Sequence, residues 1–297
     1  MKKVLVTGAS GMVGYAVCRE ALGQSLEVVG CGREDRHRIP GMRFVHVDLT
    51  DAAAVTAMLE AIAPDLVIHL AANTSHAECE RNPGNTRQLH VGASEHLARL
   101  ALNLSARFVH ISTEAVYGNL GAGCRQESEV CQPAGIYAST KREAEERVLQ
   151  TYSEALVLRV TPVGFTPNGS VRSLAEWLLS QFIRGGDVTG YVDAWFTPIS
   201  SHFLAEMLMN PKLSGVSGIY NWGIGEVMTK YDFAVGLADA FGFLDAKVLP
   251  GRRDLNGSGY HGGMDSTALA TALGMPLPNA ADMFADLAHH RPCNNPN

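Results

Sequence analysis

The N-terminal stretch Lys3-Val4-Leu5-Val6-Thr7-Gly8-Ala9-Ser10-Gly11-Met12-Val13-Gly14 decides the fold class. A short apolar run, typical of a buried strand, leads directly into three glycines spaced three residues apart. In such a turn Gly8 allows the tight bend, Gly11 lets the backbone approach a pyrophosphate, and Gly14 permits close packing of the next helix. Because a helix N-terminus favours anions, the stretch predicts a dinucleotide-binding strand–turn–helix unit. No Gly-Lys-Ser/Thr follows, which excludes a P-loop.

The composition is that of a globular protein. The chain has 297 residues, 46% of them hydrophobic, and a formal net charge of −6. This balance excludes disorder as the main state and argues against nucleic acid as a partner. No run reaches the roughly 18 apolar residues that span a bilayer, and the N-terminal apolar stretch is too short for a signal peptide. We therefore expect a soluble, cytoplasmic protein. The cysteines and histidines show no ligand spacing, so no metal is predicted.

Short apolar runs and helix-periodic segments alternate along the first half of the chain. The strand candidates cover 3–7, 26–30, 43–47, 66–70, 107–111 and 156–160. The helix candidates between them cover 51–62, 85–104 and a segment that starts near Tyr137. This alternation predicts an α/β protein with a doubly wound parallel sheet, the Rossmann architecture.

The residues after the second strand select the form of the cofactor. Arg33 stands where an acidic residue would bind the ribose of NAD, and its guanidinium suits the 2′-phosphate of NADP(H). A solvated basic loop is the alternative, since Glu34 and Asp35 are adjacent. Asp48 ends the third strand, within expected reach of the adenine. The predicted contacts from this region of the chain are Gly8, Ser10, Gly11, Met12, Val13, Gly32, Arg33, Asp48, Leu49, Leu70, Ala71 and Ala72.

The segment after Val160 changes character. We expect residues 1–162 to form an NADP-binding Rossmann domain and 163–297 to form mainly a smaller C-terminal substrate-binding lobe. The strand candidate at 218–222 is expected to return to the main sheet. The glycine-rich segment 251–263 is predicted to be a mobile loop that closes over the substrate. Helices are predicted near 170–183, 201–209, 230–241 and 279–289.

Three hydroxyl and amine groups form a candidate catalytic set. Tyr137 and Lys141 are four residues apart, on one helical face, and Ser112-Thr113 ends the fifth strand at the ligand-facing edge of the sheet. An ammonium beside a phenol favours the phenolate and lowers its pKa. The spacing therefore predicts that Tyr137 donates a proton near neutral pH.

These motifs together resemble the extended short-chain dehydrogenases/reductases. Within that superfamily the chain is most similar to the dTDP-4-dehydrorhamnose reductase family, in the branch that contains the methionine adenosyltransferase beta subunit. The passages that carry the resemblance are the glycine turn, Ser112-Thr113 with Val116-Tyr117-Gly118, Tyr137 with Lys141, Val29-Gly30-Cys31-Gly32, His69-Leu70-Ala71-Ala72 and Met228-Thr229-Lys230-Tyr231.

The resemblance implies roles for the matching residues. Thr113 would bind the substrate carbonyl, Tyr137 would protonate it, and Lys141 would hold the nicotinamide ribose. Tyr137, Lys141, Pro162 and Val163 thus join the cofactor contacts. The implied substrate contacts are Asn73, Thr74, Thr113, Glu114, Tyr137 and Trp195.

Two positions depart from the family pattern. His90 replaces the usual asparagine of a proton relay, and the segment around Tyr260 lacks the usual Arg-Pro. The first departure puts the relay in doubt, and the second weakens the assignment to a dTDP-rhamnose precursor.

The leading interpretation is an NADPH-dependent reductase of a carbonyl on a nucleotide-linked deoxysugar. One alternative is a non-catalytic NADP-binding regulatory subunit that docks on an enzyme. The other is a nucleotide-sugar epimerase or dehydratase, which would need a further acid–base pair. We expect a small-molecule substrate and no membrane partner, and the sequence leaves a homodimer open.

Overall fold

A seven-stranded parallel sheet forms the centre of the molecule. The computed structural model describes residues 2–119, 121, 123–167, 173–253 and 259–291. The strands of the sheet are β1 (Lys3–Thr7), β2 (Glu27–Gly32), β3 (Arg43–His46), β4 (Leu66–His69), β5 (Arg107–Thr113), β6 (Leu156–Val160) and β11 (Gly218–Trp222). Their spatial order is β11-β6-β5-β4-β1-β2-β3, so the strand order reverses beside β1. The predicted doubly wound α/β fold is confirmed.

Helices cover both faces of this sheet because its strands are apolar on both sides. Alternate residues of β1 point to opposite faces, where Val4 belongs to one hydrophobic cluster and Leu5 to another. The helices are α1 (Met12–Gly23), α2 (Ala52–Ile62), α3 (His76–Arg81), α4 (Pro83–Arg87), α5 (Ala93–Asn103), α6 (Gly135–Thr151), α7 (Leu174–Ile183), α8 (Ser201–Leu208), α9 (Lys230–Ala240), α10 (Thr267–Leu273) and α11 (Ala280–His289). Among the described residues, no helix is long and apolar enough to cross a membrane.

The predicted helix over 85–104 is interrupted. A π-helical turn, Gln88–Gly92, separates α4 from α5 and carries His90 into the interior. Such turns bulge a helix locally and are frequent at functional sites. The helical spacing of apolar residues over 85–104 did not reveal this π-helical turn, because a single wide turn hardly changes which residues lie on the apolar face.

The C-terminal part adds short strands around the end of the sheet. They are β7 (Pro162–Val163), β8 (Val188–Tyr191), β9 (Ala194–Phe196), β10 (Ile199–Ser200), β12 (Met228–Thr229), β13 (Val248–Gly251) and β14 (Tyr260–Gly262). Strand β9 lies between β12 and β14, and β8 pairs with β13. The prediction of one loop over 251–263 is therefore wrong at both ends, because residue 251 belongs to β13 and residues 260–262 form β14. Backbone pairing forms these strands although glycines are frequent in the segment. Residues 254–258, the middle of that predicted lid, lie outside the described residues.

One buried ion pair fastens α6 to the sheet. Arg159 on β6 donates to both carboxylate oxygens of Glu145 on α6, at 2.9 and 2.7 Å, and their side chains are 1% and 0% exposed. Ser112 on β5 donates to the same carboxylate at 2.5 Å. Arg142 adds a third donor at 2.9 Å. The carboxylate thus joins α6 to the ends of two neighbouring strands.

We expect Arg159→Met to lower the free energy of unfolding by about 3–5 kcal/mol, because it leaves a buried carboxylate without its main partner. Urea unfolding of the purified protein measures this change. The double variant with Glu145→Leu should be more stable than the single one, since neither charge then remains buried. Arg36→Met, which breaks only an exposed pair with Glu34, should cost less than about 1 kcal/mol. A loss for Arg159→Met no larger than that for Arg36→Met would contradict the anchoring role.

Candidate active site

The glycine turn has the geometry that its sequence predicts. Gly8 has a φ of +69°, and a Cβ there would lie 2.9 Å from the Ala71 nitrogen. A Cβ on Gly14 would lie 2.2 Å from the Gly8 carbonyl oxygen. Side chains at either position would therefore push α1 away from β1 and β4. The turn remains closed only because glycine occupies both positions.

The N-terminus of α1 is suited to an anion. Its N-cap, Gly11, offers no side chain to the free N–H groups, and the first turn has no acidic residue. Six of the described helices are capped by a side chain, from Asp51, Ser75, Ser173, Ser200, Thr229 or Asn279, while α4, α5, α6 and α10 lack such a cap, as α1 does. Unsatisfied N–H groups at a helix start are an anion-binding feature. A pyrophosphate fits this turn.

The loop after β2 folds back over the glycine turn. The Ser10 hydroxyl donates to the Glu34 carbonyl at 2.5 Å and accepts from the Arg36 nitrogen at 3.3 Å. Arg33 is exposed, and its guanidinium makes no hydrogen bond or ion pair with a described residue. The Arg36 side chain instead pairs with Glu34. Arg33, which directly follows β2, is therefore free to bind a phosphate, and the exposed Arg38 side chain also has no partner among the described residues.

The remaining predicted cofactor residues line the same edge of the sheet. Asp48 accepts from the backbone nitrogen and the hydroxyl of Thr50, and these two bonds hold the pKa of Asp48 below its usual value. Leu49 packs into the core, so only its backbone is free for a ligand. The Leu70 and Ala71 nitrogens both donate to the buried Thr7 hydroxyl at 3.2 Å. Gly32 ends β2, Met12 and Val13 begin α1, Ala72 follows β4, and Pro162 and Val163 form β7.

Thr113, Glu114 and Tyr137, three of the predicted substrate contacts, lie together at this edge. Thr113 donates to a Glu114 carboxylate oxygen at 2.8 Å and accepts from the Ala115 nitrogen at 3.2 Å. Burial raises the pKa of Tyr137, and the neighbouring Glu114 raises it further, while the Thr113 hydroxyl acts in the opposite direction. The Tyr137 ring also meets His76, with centroids 4.7 Å apart.

Lys141 does not lower the pKa of Tyr137 as the sequence predicted. Its Nζ donates to the Ile111 carbonyl at 2.6 Å and lies 3.2 Å from His110 Nε2, both on β5. Burial lowers the pKa of Lys141 to about 8, with Glu145 acting against the shift. The ammonium faces strand β5, and burial therefore dominates at both Tyr137 and Lys141.

His90, which stands in place of the asparagine of the family pattern, is held by contacts with neighbouring elements. Its side chain accepts from the Asn73 nitrogen at 2.9 Å and contacts the Thr140 hydroxyl at 2.9 Å. Its carbonyl accepts from the Ser94 hydroxyl at 2.5 Å. Both ring nitrogens of His90 are therefore engaged, while Lys141 lies near enough to disfavour a charge on the ring. Burial lowers the pKa of His90 to about 4, which keeps the ring neutral.

The predicted substrate residues are divided between two regions. Asn73 and Thr74 follow β4, and the Asn73 side chain accepts from the Ser75 nitrogen at 3.1 Å. Trp195 lies on β9, on the opposite strand face from the buried Phe196. Phe196 contacts Lys230, which has Glu114 among its charged neighbours. Sequence reasoning missed Lys230 and Tyr260, because they reach the site only through β9, β12 and β14.

A second polar cluster lies on another side of α1. The imidazoles of His202 and His290 stack with centroids 3.4 Å apart, and Asp286 contacts both. Nearby, a cavity of about 510 Å³ is lined by Arg19, Glu206 and these histidines, and by none of the catalytic candidates. Imidazole and carboxylate are zinc-type donors. The spacing of residues in the sequence did not predict this cluster, because His202 lies on α8 while Asp286 and His290 lie on α11 and at its C-terminal cap.

The family model for the RmlD substrate binding domain matches residues 1–256 of the chain. Methionine adenosyltransferase 2 subunit beta of Xenopus tropicalis is 31% identical over 262 residues, covering 84% of this chain and 75% of its own. A probable low-salt glycan biosynthesis reductase of Haloferax volcanii is 28% identical, covering 80% and 79%.

Among solved structures, dTDP-4-dehydrorhamnose reductase of Bacillus anthracis, in complex with NADP, superposes with a TM-score of 0.81. It is 17% identical, and the superposition covers 97% of this chain and 98% of the other. That likeness reproduces the doubly wound sheet, and the family model extends over most of the chain. The protein belongs to the RmlD substrate binding domain family.

Proposed function

We propose that the protein is an NADPH-dependent reductase of a carbonyl on a nucleotide-linked sugar. The observation that carries the proposal is that β5 and α6 bring the Thr113 hydroxyl to Tyr137 and the Lys141 ammonium to the Ile111 carbonyl, near the end of β5. The chemistry that NADPH supplies when bound is hydride transfer to the carbonyl carbon. The uncapped α1 N-terminus and the unpaired Arg33 support a fit to its pyrophosphate and 2′-phosphate.

The residues of the chain would then move one proton. Tyr137 donates its hydroxyl proton to the substrate oxygen as negative charge develops there. The raised pKa of Tyr137 keeps the phenol protonated until that moment. Thr113 orients the carbonyl once its hydroxyl leaves Glu114. The Lys141 ammonium has three N–H groups, of which two are directed to the Ile111 carbonyl and to His110. The third would then bind the ribose.

Arg33→Asp tests the choice of cofactor. We expect NADPH affinity to fall by about 1.5–3 kcal/mol, since one charge-assisted contact is lost, while NADH affinity changes little. Fluorescence titration measures both constants. Arg43→Asp makes the same charge change at the start of β3, at the opposite edge of the sheet from Arg33. It should leave the affinities for NADPH and NADH unchanged. Equal losses for NADPH and NADH with Arg33→Asp would remove Arg33 from the 2′-phosphate site.

Tyr137→Phe tests the chemistry. Turnover in an NADPH-oxidation assay with a panel of nucleotide-ketosugars should fall by about 10²-fold or more, because the proton donor is gone. NADPH affinity should stay near the original value. Tyr152→Phe is the matched control, since that hydroxyl donates to the Ala106 carbonyl away from the site. Near-normal turnover by Tyr137→Phe would exclude Tyr137 from the reaction.

Lys141 should make cofactor binding pH-dependent. Its pKa of about 8 means that the ammonium loses its proton as the pH rises through that value. We therefore expect NADPH affinity to weaken above pH 8, and Lys141→Met to bind more weakly with a flat profile. Lys230→Met, which removes another amine with a pKa of about 8, should keep the original profile. A profile unchanged by Lys141→Met would refute this role.

A regulatory subunit is the second candidate function. The observation that favours it is the 31% identity to methionine adenosyltransferase 2 subunit beta. A regulator would bind the dinucleotide without turning over a sugar. Two assays distinguish these functions. The first measures NADPH oxidation by this protein with the ketosugar panel, and the second measures methionine adenosyltransferase activity with and without this protein. Turnover supports the reductase, while a changed transferase rate without turnover supports the regulator.

A further inference from the structure

The ammonium of Lys230 has no anionic partner among the residues that the structure describes. Lys230 begins α9, and its Nζ lies 3.2 Å from the centroid of the Phe196 ring. It makes no hydrogen bond and no ion pair with any residue that the structure describes. A π face stabilises a cation, but less completely than the water that burial removes. Lys230 is only partly exposed, so its charge is poorly compensated.

The surroundings of Lys230 confirm this imbalance. Burial lowers its pKa to about 8, Arg253 contributes as a like charge, and Glu114 acts in the opposite direction. Glu114 is nevertheless beyond ion-pair distance and already accepts from Thr113. The Arg253 guanidinium lies over the Tyr260 ring, 4.9 Å from its centroid, and it too lacks a carboxylate partner among the described residues.

The short C-terminal strands bring these groups to the catalytic edge. Strand β9 carries Phe196 and pairs on one side with β12, which leads into Lys230. On its other side it pairs with β14, which carries Tyr260. A Cβ on Gly262 would lie 3.3 Å from the Glu114 Cγ and 2.8 Å from the Tyr260 ring, so glycine lets β14 approach Glu114. The cations therefore lie beside Glu114.

We infer that Lys230 and Arg253 bind the diphosphate group of the nucleotide-linked sugar, an inference that rests on the proposed function. Two neighbouring cations that have no carboxylate partner within the described part of the chain match a ligand with several anionic oxygens better than one with a single carboxylate. Glu114 repels such a group, so the diphosphate lies on the Lys230 side. The sugar carbonyl then lies between Thr113 and Tyr137. This pair of cations occupies the region where the sequence lacks the arginine of the family pattern.

The test is equilibrium binding of dTDP and UDP to the protein saturated with NADP⁺, so that the dinucleotide site is already occupied. Lys230→Met removes the charge and keeps a side chain of similar length. Lys230→Gln is used in its place if the Lys230→Met variant is unstable. Lys230→Arg retains the charge. Lys247→Met is the matched control, an exposed lysine of the same lobe. Thymidine and uridine, without phosphates, report on any loss of the nucleoside pocket.

We expect diphosphate affinity to fall about tenfold to a hundredfold in Lys230→Met, as for a lost charge-assisted bond. Lys230→Arg and Lys247→Met should stay close to the original protein, and nucleoside and NADPH affinities should not change. The inference is overturned if the original protein binds neither dTDP nor UDP. It is also overturned if the Lys230→Met variant binds them as tightly as the original protein does. If no ketosugar is reduced but Lys230→Met still loses the diphosphate, the subsite stands and the reductase proposal fails.

Discussion

The geometry of the candidate active site depends on the hydrogen bonds that the buried Glu145 carboxylate accepts. It accepts from Arg159 on β6 and from Ser112 on β5, so it fixes α6 against the ends of two strands. Lys141 is one helical turn and Tyr137 two turns before Glu145 on the same face. Their positions relative to Thr113 follow from this attachment. Because the pair is buried, its loss would affect folding and the site together.

Beneath the site lies a layer of neutral histidines. His69 contacts the Thr7 hydroxyl at 2.7 Å and the Ser94 hydroxyl at 2.9 Å, while His110 meets Lys141. Burial lowers the pKa of His69 to about 3, and that of His110 also falls. Neutral rings accept hydrogen bonds without adding charge beside the lysine. The layer of neutral rings thus lies between the glycine turn and the Lys141 ammonium of α6.

The C-terminal residues share a hydrophobic core with the main sheet. The hydrophobic cluster that contains Val4 and Val160 of the sheet continues to Phe196 and Phe233. Strand β11 and helix α8, both from the C-terminal half, pack against the sheet and α1. A continuous core holds Lys230 and Tyr260 in a fixed relation to Thr113. The candidate site therefore contains residues from both halves of the chain.

The sequence by itself determined the parallel sheet, the glycine turn and the Thr113, Tyr137 and Lys141 set. These features depend on local periodicity and on spacing within single elements, which a sequence displays directly. Only the tertiary structure decided that Lys141 faces His110, that His90 turns toward Thr140, and that Lys230 lies over Phe196. Each of these contacts joins elements distant in the chain. Their burial and partners depend on packing, and no local pattern encodes packing.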